Sequence, residues 1–266
     1  MLFFDNVASG CGRSPAMKDL KTTGSATAPS SEGDALYGAH YYDQELHRDH
    51  WFHNNAAKRE LRWREVLQML DLSPDDRVLE IGCATGEHTL RLAKLCKEIV
   101  GVDLAAAAIE RAHARIAATR VANAHFVRLD ASILDRFATA SFDKVAAIDF
   151  TEHVDDAVLV RILRECRRVL RADGKLAIFT PCASHYVERL KRRNIILKQI
   201  PGHIAVRGPA AYRRLLLQNG FSIDSLHFSP STYPLFGRFD RWFGNMPIVG
   251  PLFRFRICIV ARPAAS

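Results

Sequence analysis

Residues 78–87 read VLEIGCATGE: an apolar run carrying one glutamate, then a glycine, three residues and a second glycine. A glycine loop directly after a hydrophobic strand lets a ligand come close to the backbone. Two phosphate-binding loops are poor fits. The dinucleotide fingerprint G-x-G-x-x-G asks for glycine where Ala84 and Glu87 stand. The P-loop asks for a lysine followed by serine or threonine, and neither follows here. Glu80 and Glu87 would also set negative charge beside a phosphate. A phosphate-free ligand is the better match.

Outward from the loop, short apolar strands alternate with helices. RVLEIG (77–82) precedes helix HTLRLAKLC (88–96), and EIVGVD (98–103) precedes helix AAAAIERAHARIA (105–117). Strands AHFVRLD (124–130) and FDKVAAID (142–149) follow, then helix DAVLVRILRECRRVL (156–170) and strand KLAIFTP (175–181). After a basic insertion, 182–207, come helix PAAYRRLLLQNG (209–220), strand FSIDSLHF (221–228), an aromatic and proline-rich segment, and strand FRICIVAR (255–262). This alternation predicts a doubly wound, mostly parallel α/β sheet with ligands at the strand C-termini. Upstream, AAKRELRWREVLQMLD (56–71) places Leu61, Val66, Leu67 and Leu70 on one helical face, so residues 36–74 read as a helical cap. Residues 1–35, rich in Ser, Thr, Ala and Gly, read as a disordered tail, leaving 36–266 as a single domain.

Composition narrows the function classes. The chain has 266 residues, 48% apolar and 25% charged, which is ordinary for one globular domain. Six scattered cysteines without a CxxC pair argue against a zinc framework and fit a reducing cytoplasm. No stretch has the length of a signal-peptide core or a membrane span, so a soluble cytoplasmic protein is expected. The net charge of +8 is local: residues 186–256 hold twelve Lys or Arg against three acids. That third either presents a solvated basic face or meets an anionic substrate, lipid or nucleic acid.

Two further acids complement Glu80. Asp103 ends the second strand, where a carboxylate can accept hydrogen bonds from a ribose diol. Asp130 ends the predicted third strand, either facing an adenine amino group or capping a turn. In order, VLEIGCATGEHTLRLA, IVGVDLAAAAIERAHAR, FVRLD, FDKVAAIDFTEHV and RVLRADGKLAIFTP resemble the successive motifs of class I S-adenosylmethionine-dependent methyltransferases. The resemblance covers 75–182 closely and 205–262 more loosely. It implies a seven-stranded sheet with a reversed final strand, and S-adenosylmethionine as cofactor. It also implies Glu80, Gly82, Ala84 and Gly86 around the methionine part, Asp103 with Leu104 at the ribose, Asp130 with Ala131 at the adenine, and Asp149 beside the transferred methyl. Ala84 is the departure from the pattern, expected to be tolerated if its φ stays negative.

Methyl transfer from a sulfonium is an in-line displacement, so the protein positions the acceptor and, where needed, takes its proton. His153 in IDFTEHVDD is the candidate base, with Asp149 and Glu152 beside it; the competing reading gives His153 only a turn-ordering role. Asp149, Glu152 and His153 form a D-x-x-E-H cluster similar to the E-x-x-E-H element of metal-dependent members, which implies a possible Mg²⁺ site completed by His185 or His203. Substrate contacts are expected from the variable parts: Tyr41 in the aromatic stretch 37–53, then His185, Tyr186 and His203 in a lid over 182–207, with 229–254 as a second substrate-side insertion. Its segment YPLFGRFDRWFGNMPIVGPLFRF (233–255) either packs under the sheet or meets an anionic membrane. The leading reading is O-methylation of a small or lipid-like metabolite. The rivals are an RNA methyltransferase, weakened by IDFT standing where an NPPY-like tetrapeptide would, and a non-catalytic cofactor-binding scaffold.

Overall fold

The computed structural model describes residues 56–194, 202–231 and 234–265. Residues 1–55, with Tyr41 and the aromatic stretch, and 195–201 of the basic insertion lie outside the described residues. The elements in chain order are α1 (Ala56–Leu70), β1 (Arg77–Ile81), α2 (Glu87–Leu92), β2 (Glu98–Asp103), α3 (Ala106–Ala117), β3 (Ala124–Arg128) and β4 (Phe142–Ile148). They continue with α4 (Asp156–Val169), β5 (Leu170–Pro181), α5 (Tyr186–Arg192), α6 (Pro209–Gln218), β6 (Phe221–Ser229), α7 (Pro234–Phe243) and β7 (Arg256–Pro263). One seven-stranded sheet has the order β3-β2-β1-β4-β5-β7-β6, with β7 antiparallel to both neighbours and every other pairing parallel. The expected α/β sheet with its reversed strand is present.

Strand periodicity divides the core between two faces. Leu79 and Ile81 of β1 point to the side covered by Leu159, Ile162 and Leu163 of α4 and by Leu215 and Leu216 of α6. Val78 points to the other side, against Val66 and Leu70 of α1 and Leu90 of α2. Helix α4 forms where its buried residues recur as Leu159, Ile162, Leu163, Cys166 and Val169, a 3.6-residue stripe, and Asp155 caps it by accepting from the Val158 amide at 2.8 Å. The cap helix α1 buries Trp63, Val66, Met69 and Leu70, while Leu61 and Leu67 are half-buried.

Some boundaries differ from the sequence expectation. Strand β5 starts at Leu170 rather than Lys175, because Leu170 already pairs with Phe142 across a register irregularity. Strand β3 ends at Arg128, so Asp130 sits in the turn beyond it. No helix among the described residues is long and apolar enough to cross a membrane. Both insertions leave the sheet at one edge. Pro181 of β5 pairs with Arg256 of β7, which pairs with Ser229 of β6, so these residues share the carboxyl end of the parallel strands with Gly82, Asp103 and Asp149.

Candidate functional site

The loop after β1 is built from left-handed residues: Gly82 at φ 70°, Ala84 at φ 46° and Gly86 at φ 77°. A Cβ on Gly82 would lie 2.2 Å from the Phe150 ring, and one on Gly86 2.4 Å from the Phe126 ring, so both sites demand glycine for space as well as for φ. Ala84 corrects the sequence expectation, since its φ is positive. An alanine there costs about 1–2 kcal/mol. Asp103 holds it in place: Oδ2 accepts from the Ala84 amide at 2.9 Å and Oδ1 from the Ala105 amide at 3.0 Å. Burial raises the Asp103 carboxyl above its ordinary value, against these amide bonds.

Glu80 lies beneath this loop, 2% exposed, and accepts from the Thr89 hydroxyl at 2.5 Å. Burial lifts its carboxyl to about 7, with Thr89 and Arg62 opposing. A cationic ligand above the loop would draw it to the ionised form. Leu104 follows Asp103, and its carbonyl accepts from Arg128 Nε at 3.0 Å. Asp130 accepts from the Ser132 amide at 2.8 Å, the turn-capping geometry, and Ala131 beside it is buried. The loop thus offers acids and apolar walls, with tight backbone approaches at Gly82 and Gly86. Those features fit a cofactor with a cationic centre and a ribose.

At the end of β4, Asp149 stands at φ 48° and its amide donates to the Phe179 carbonyl at 2.8 Å. Its carboxylate is claimed by two arginines: Oδ1 accepts from Arg256 Nη1 at 2.6 Å, and Oδ2 pairs with Arg62. Burial opposes its charge, but Arg256 and then Arg62 outweigh it and keep the carboxyl below its ordinary value. Asp149 is therefore committed to two arginines, while it stays close enough to Glu152 and His153 to act on their charges.

Glu152, fully buried, accepts from the Thr180 hydroxyl at 3.0 Å through Oε2, and its Oε1 has no hydrogen-bond partner among the described residues. Burial and the neighbouring Asp149 raise it to about 8. Next to it, His153 Nδ1 lies 3.0 Å from the Gly202 carbonyl. A carbonyl only accepts, so Nδ1 carries the proton and Nε2 presents a lone pair. Burial lowers the His153 pKa, and it lowers that of His203 to about 4, so both rings are neutral at pH 7. The two rings meet edge-on with centroids 4.9 Å apart. Glu152, His153 and His203 each offer a ligand atom within 4.8 Å of the others. This trio could hold a divalent ion, with the expected Glu152 and His153 joined by His203, one of the two candidate completing ligands; Glu65, His227 and Cys258 form a second such group among the described residues. His185 is part of neither: fully buried, it sits 3.2 Å from Asp240 through Nε2 while Nδ1 accepts from the Val187 amide at 3.2 Å. Both ring nitrogens, expected to meet substrate or metal, are engaged within the protein, where His185 joins α5 to α7. Tyr186 stacks beside it at 4.3 Å.

The raised Glu152 carboxyl has a stability consequence. Unfolded, a glutamate loses its proton near 4.5; folded, Glu152 keeps it to about 8. The folded state thus binds more protons in that window, and stability falls as pH rises through it. Glu80 adds the same trend centred near 7, and the histidines, whose pKa values are lowered, oppose it at lower pH. Glu80 and Glu152 overlap between about pH 7 and 8, so a substitution at Glu152 separates their shares. Thermal unfolding of Glu152→Gln is expected to be flatter there than that of the wild type; parallel curves would count against the assignment.

The residues that sequence patterns missed are those that converge from distant elements. Arg62 of α1, Thr89 of α2 and Arg256 of β7 carry no motif. Arg207, 5% exposed, donates to the Asp156 carboxylate and to the carbonyls of Thr151, Val154 and Ala205. Only its lone charge in an otherwise apolar stretch, HIAVRGPAAY, hints at burial with partners.

Residues 78–174 match the profile of a methyltransferase domain. Over 150 residues the chain is 33% identical to the 27-O-demethylrifamycin SV methyltransferase of Amycolatopsis mediterranei, covering 54% of this chain and 52% of that protein. Over 78 residues it is 40% identical to a 23S rRNA (uracil(1939)-C(5))-methyltransferase of Pseudomonas aeruginosa, covering 29% of this chain and 17% of that one. The chain thus spans about half the length of the first relative and far less of the second. Among solved structures, the YcgJ protein of Bacillus subtilis superposes with a TM-score of 0.60 at 17% identity, over 78% of this chain and all of that one, a likeness of fold. The profile match takes in the loop and the acids that the backbone strain and burial single out, and residues 78–174 form a methyltransferase domain within the seven-stranded sheet.

Proposed function

We propose that this protein transfers the methyl group of S-adenosylmethionine to a hydroxyl of a small or lipid-like acceptor. The observation that carries the reading is His153, a neutral imidazole protonated at Nδ1 toward the Gly202 carbonyl, so that Nε2 is its basic nitrogen, set beside the carboxyl end of β4. The relative from Amycolatopsis mediterranei, a 27-O-demethylrifamycin SV methyltransferase, supports oxygen as the methylated atom. The cofactor supplies an activated methyl and a neutral leaving group. Gly82, Ala84, Gly86 and Asp103 would hold it, with Leu104, Asp130 and Ala131 on the nucleoside side. Arg62 and Arg256 orient Asp149, and Glu80, drawn to its anion, balances positive charge above the loop.

As a base, His153 must be unprotonated. The rate is therefore expected to climb as pH rises through its lowered pKa, below 6.5, and to level off above it. His153→Gln should lose that rising limb and drop kcat by roughly 100-fold, the usual share of a general base. A mutant with an unchanged profile would leave His153 a turn-ordering role. The same assay in EDTA is expected to keep its rate. A loss that Mg²⁺ or Mn²⁺ restores would instead assign Glu152, His153 and His203 as ligands, a reading favoured by the unpartnered Glu152 Oε1. RNA is the second acceptor class, supported by the rRNA-modifying relative and the basic C-terminal third. Labelled methyl partitioning into RNA rather than into organic extracts would establish it.

A further inference from the structure

Two helices at the carboxyl edge of the sheet are built inside out. Helix α7 buries Gly237 and Asp240 and exposes Arg238, Phe239, Arg241 and Trp242. A Cβ on Gly237 would lie 2.1 Å from the Ser231 carbonyl oxygen, so that side of the helix is pressed against the chain leaving β6. Asp240 accepts from the Ser231 amide at 2.7 Å and sits against His185. These contacts fix the outward face. Trp242 is 80% exposed and Ile248 91%, and Phe239, Met246 and Val249 are exposed with them. Single exposed apolar side chains are ordinary, but five within eleven residues mark a contact surface.

The charges follow the same inversion. Glu188 of α5 is 2% exposed and accepts from Lys191, while Arg189, Arg192 and Arg193 face outward. Acids go in and arginines come out on both helices. The two are coupled through His185 and Asp240, and through Phe253, whose ring lies 5.7 Å from Tyr186 and 5.1 Å from Phe243 of α7. A tryptophan and aliphatic tips rimmed by arginines match the acyl boundary and headgroups of an anionic leaflet. Nucleic acid would use the arginines and rings, but has no place for Ile248, Met246 and Val249.

We propose that α7, the 245–249 turn and the arginine side of α5 form an interfacial anchor that seats the protein on an anionic lipid surface, with the carboxyl edge of the sheet toward the bilayer. The anchor deepens the lipid-like acceptor reading, since an acceptor dissolved in the membrane would be met at that edge. Vesicle binding itself needs neither cofactor nor acceptor, so it stands or falls separately from methyl transfer.

The test is co-sedimentation of the full chain with phosphatidylcholine vesicles made with and without phosphatidylglycerol. Binding is expected only with the anionic lipid, weakening as salt rises, with a blue shift of tryptophan emission that Trp242→Ala removes. Trp242→Ala with Ile248→Asp should weaken binding by roughly tenfold or more, and Arg238→Gln with Arg241→Gln should reduce its salt dependence, the α5 arginines keeping the rest. Both pairs change exposed side chains, and unchanged melting checks that they fold. Protein left in the supernatant with anionic vesicles, or binding indifferent to the Trp242 pair, would overturn the proposal. So would self-association without vesicles that the Trp242 pair abolishes, which would make this face a contact between copies of the chain.

Discussion

Asp103→Ala is expected to weaken binding of S-adenosylhomocysteine by roughly 100-fold or more, measured by isothermal titration. Two amide bonds to an ionised carboxylate are each worth about 1.5–3 kcal/mol, and they are what keeps the loop in the shape it has. Without the Ala84 bond, residue 84 has no compensation for its left-handed backbone, and the loop can relax toward negative φ. The same change removes the carboxylate expected at the ribose. Asp103→Asn keeps one acceptor oxygen for the loop and should fall between. An Asp103→Ala protein with wild-type affinity would mean that the cofactor is held elsewhere.

The second large effect is on folding. Arg207→Met is expected to lower stability by about 3–5 kcal/mol, read by denaturant unfolding, because buried partners are left without their donor. The guanidinium satisfies the carbonyls of Thr151, Ala205 and Val154 at 2.6, 3.0 and 2.7 Å, and the Asp156 carboxylate at 2.7 Å. It therefore clamps the turn carrying Glu152 and His153 to the segment carrying His203. Ala205 in turn donates to the Glu152 carbonyl at 3.0 Å, so the clamp reaches the candidate base. Arg214 is the control: it lies 3.8 Å from the same Asp156 on an exposed surface, and Arg214→Ala should change stability by under about 1 kcal/mol. Equal effects of the two substitutions would remove the clamp.

How much of this was legible beforehand depended on whether the signal was local. Helix α4 announced itself because its apolar residues recur with helical period and Asp155 stands at its cap. The carboxyl-edge loop announced itself because glycine is the residue for left-handed backbone, and Glu80 interrupts an apolar strand. Even there Ala84 misled: expected at negative φ, it is held at positive φ by a carboxylate from the next strand, nineteen residues away. His185 and His203 looked alike in the sequence, two histidines in one basic insertion. Their environments separate them, one sealed against Asp240 and the other set against His153.

The sequence by itself determined the alternation of strands and helices, the loop after β1 and the acids that follow successive strands, because each rests on periodicity or on one residue's backbone preference. Tertiary structure decided which charges meet. Arg62 and Arg256 reach Asp149 from opposite ends of the chain, His203 and not His185 comes to lie beside Glu152 and His153, and α7 turns its tryptophan outward while burying its aspartate. Ion pairing and desolvation act through space over a few ångströms, and spacing along the chain carries no record of which distant side chains will come that close.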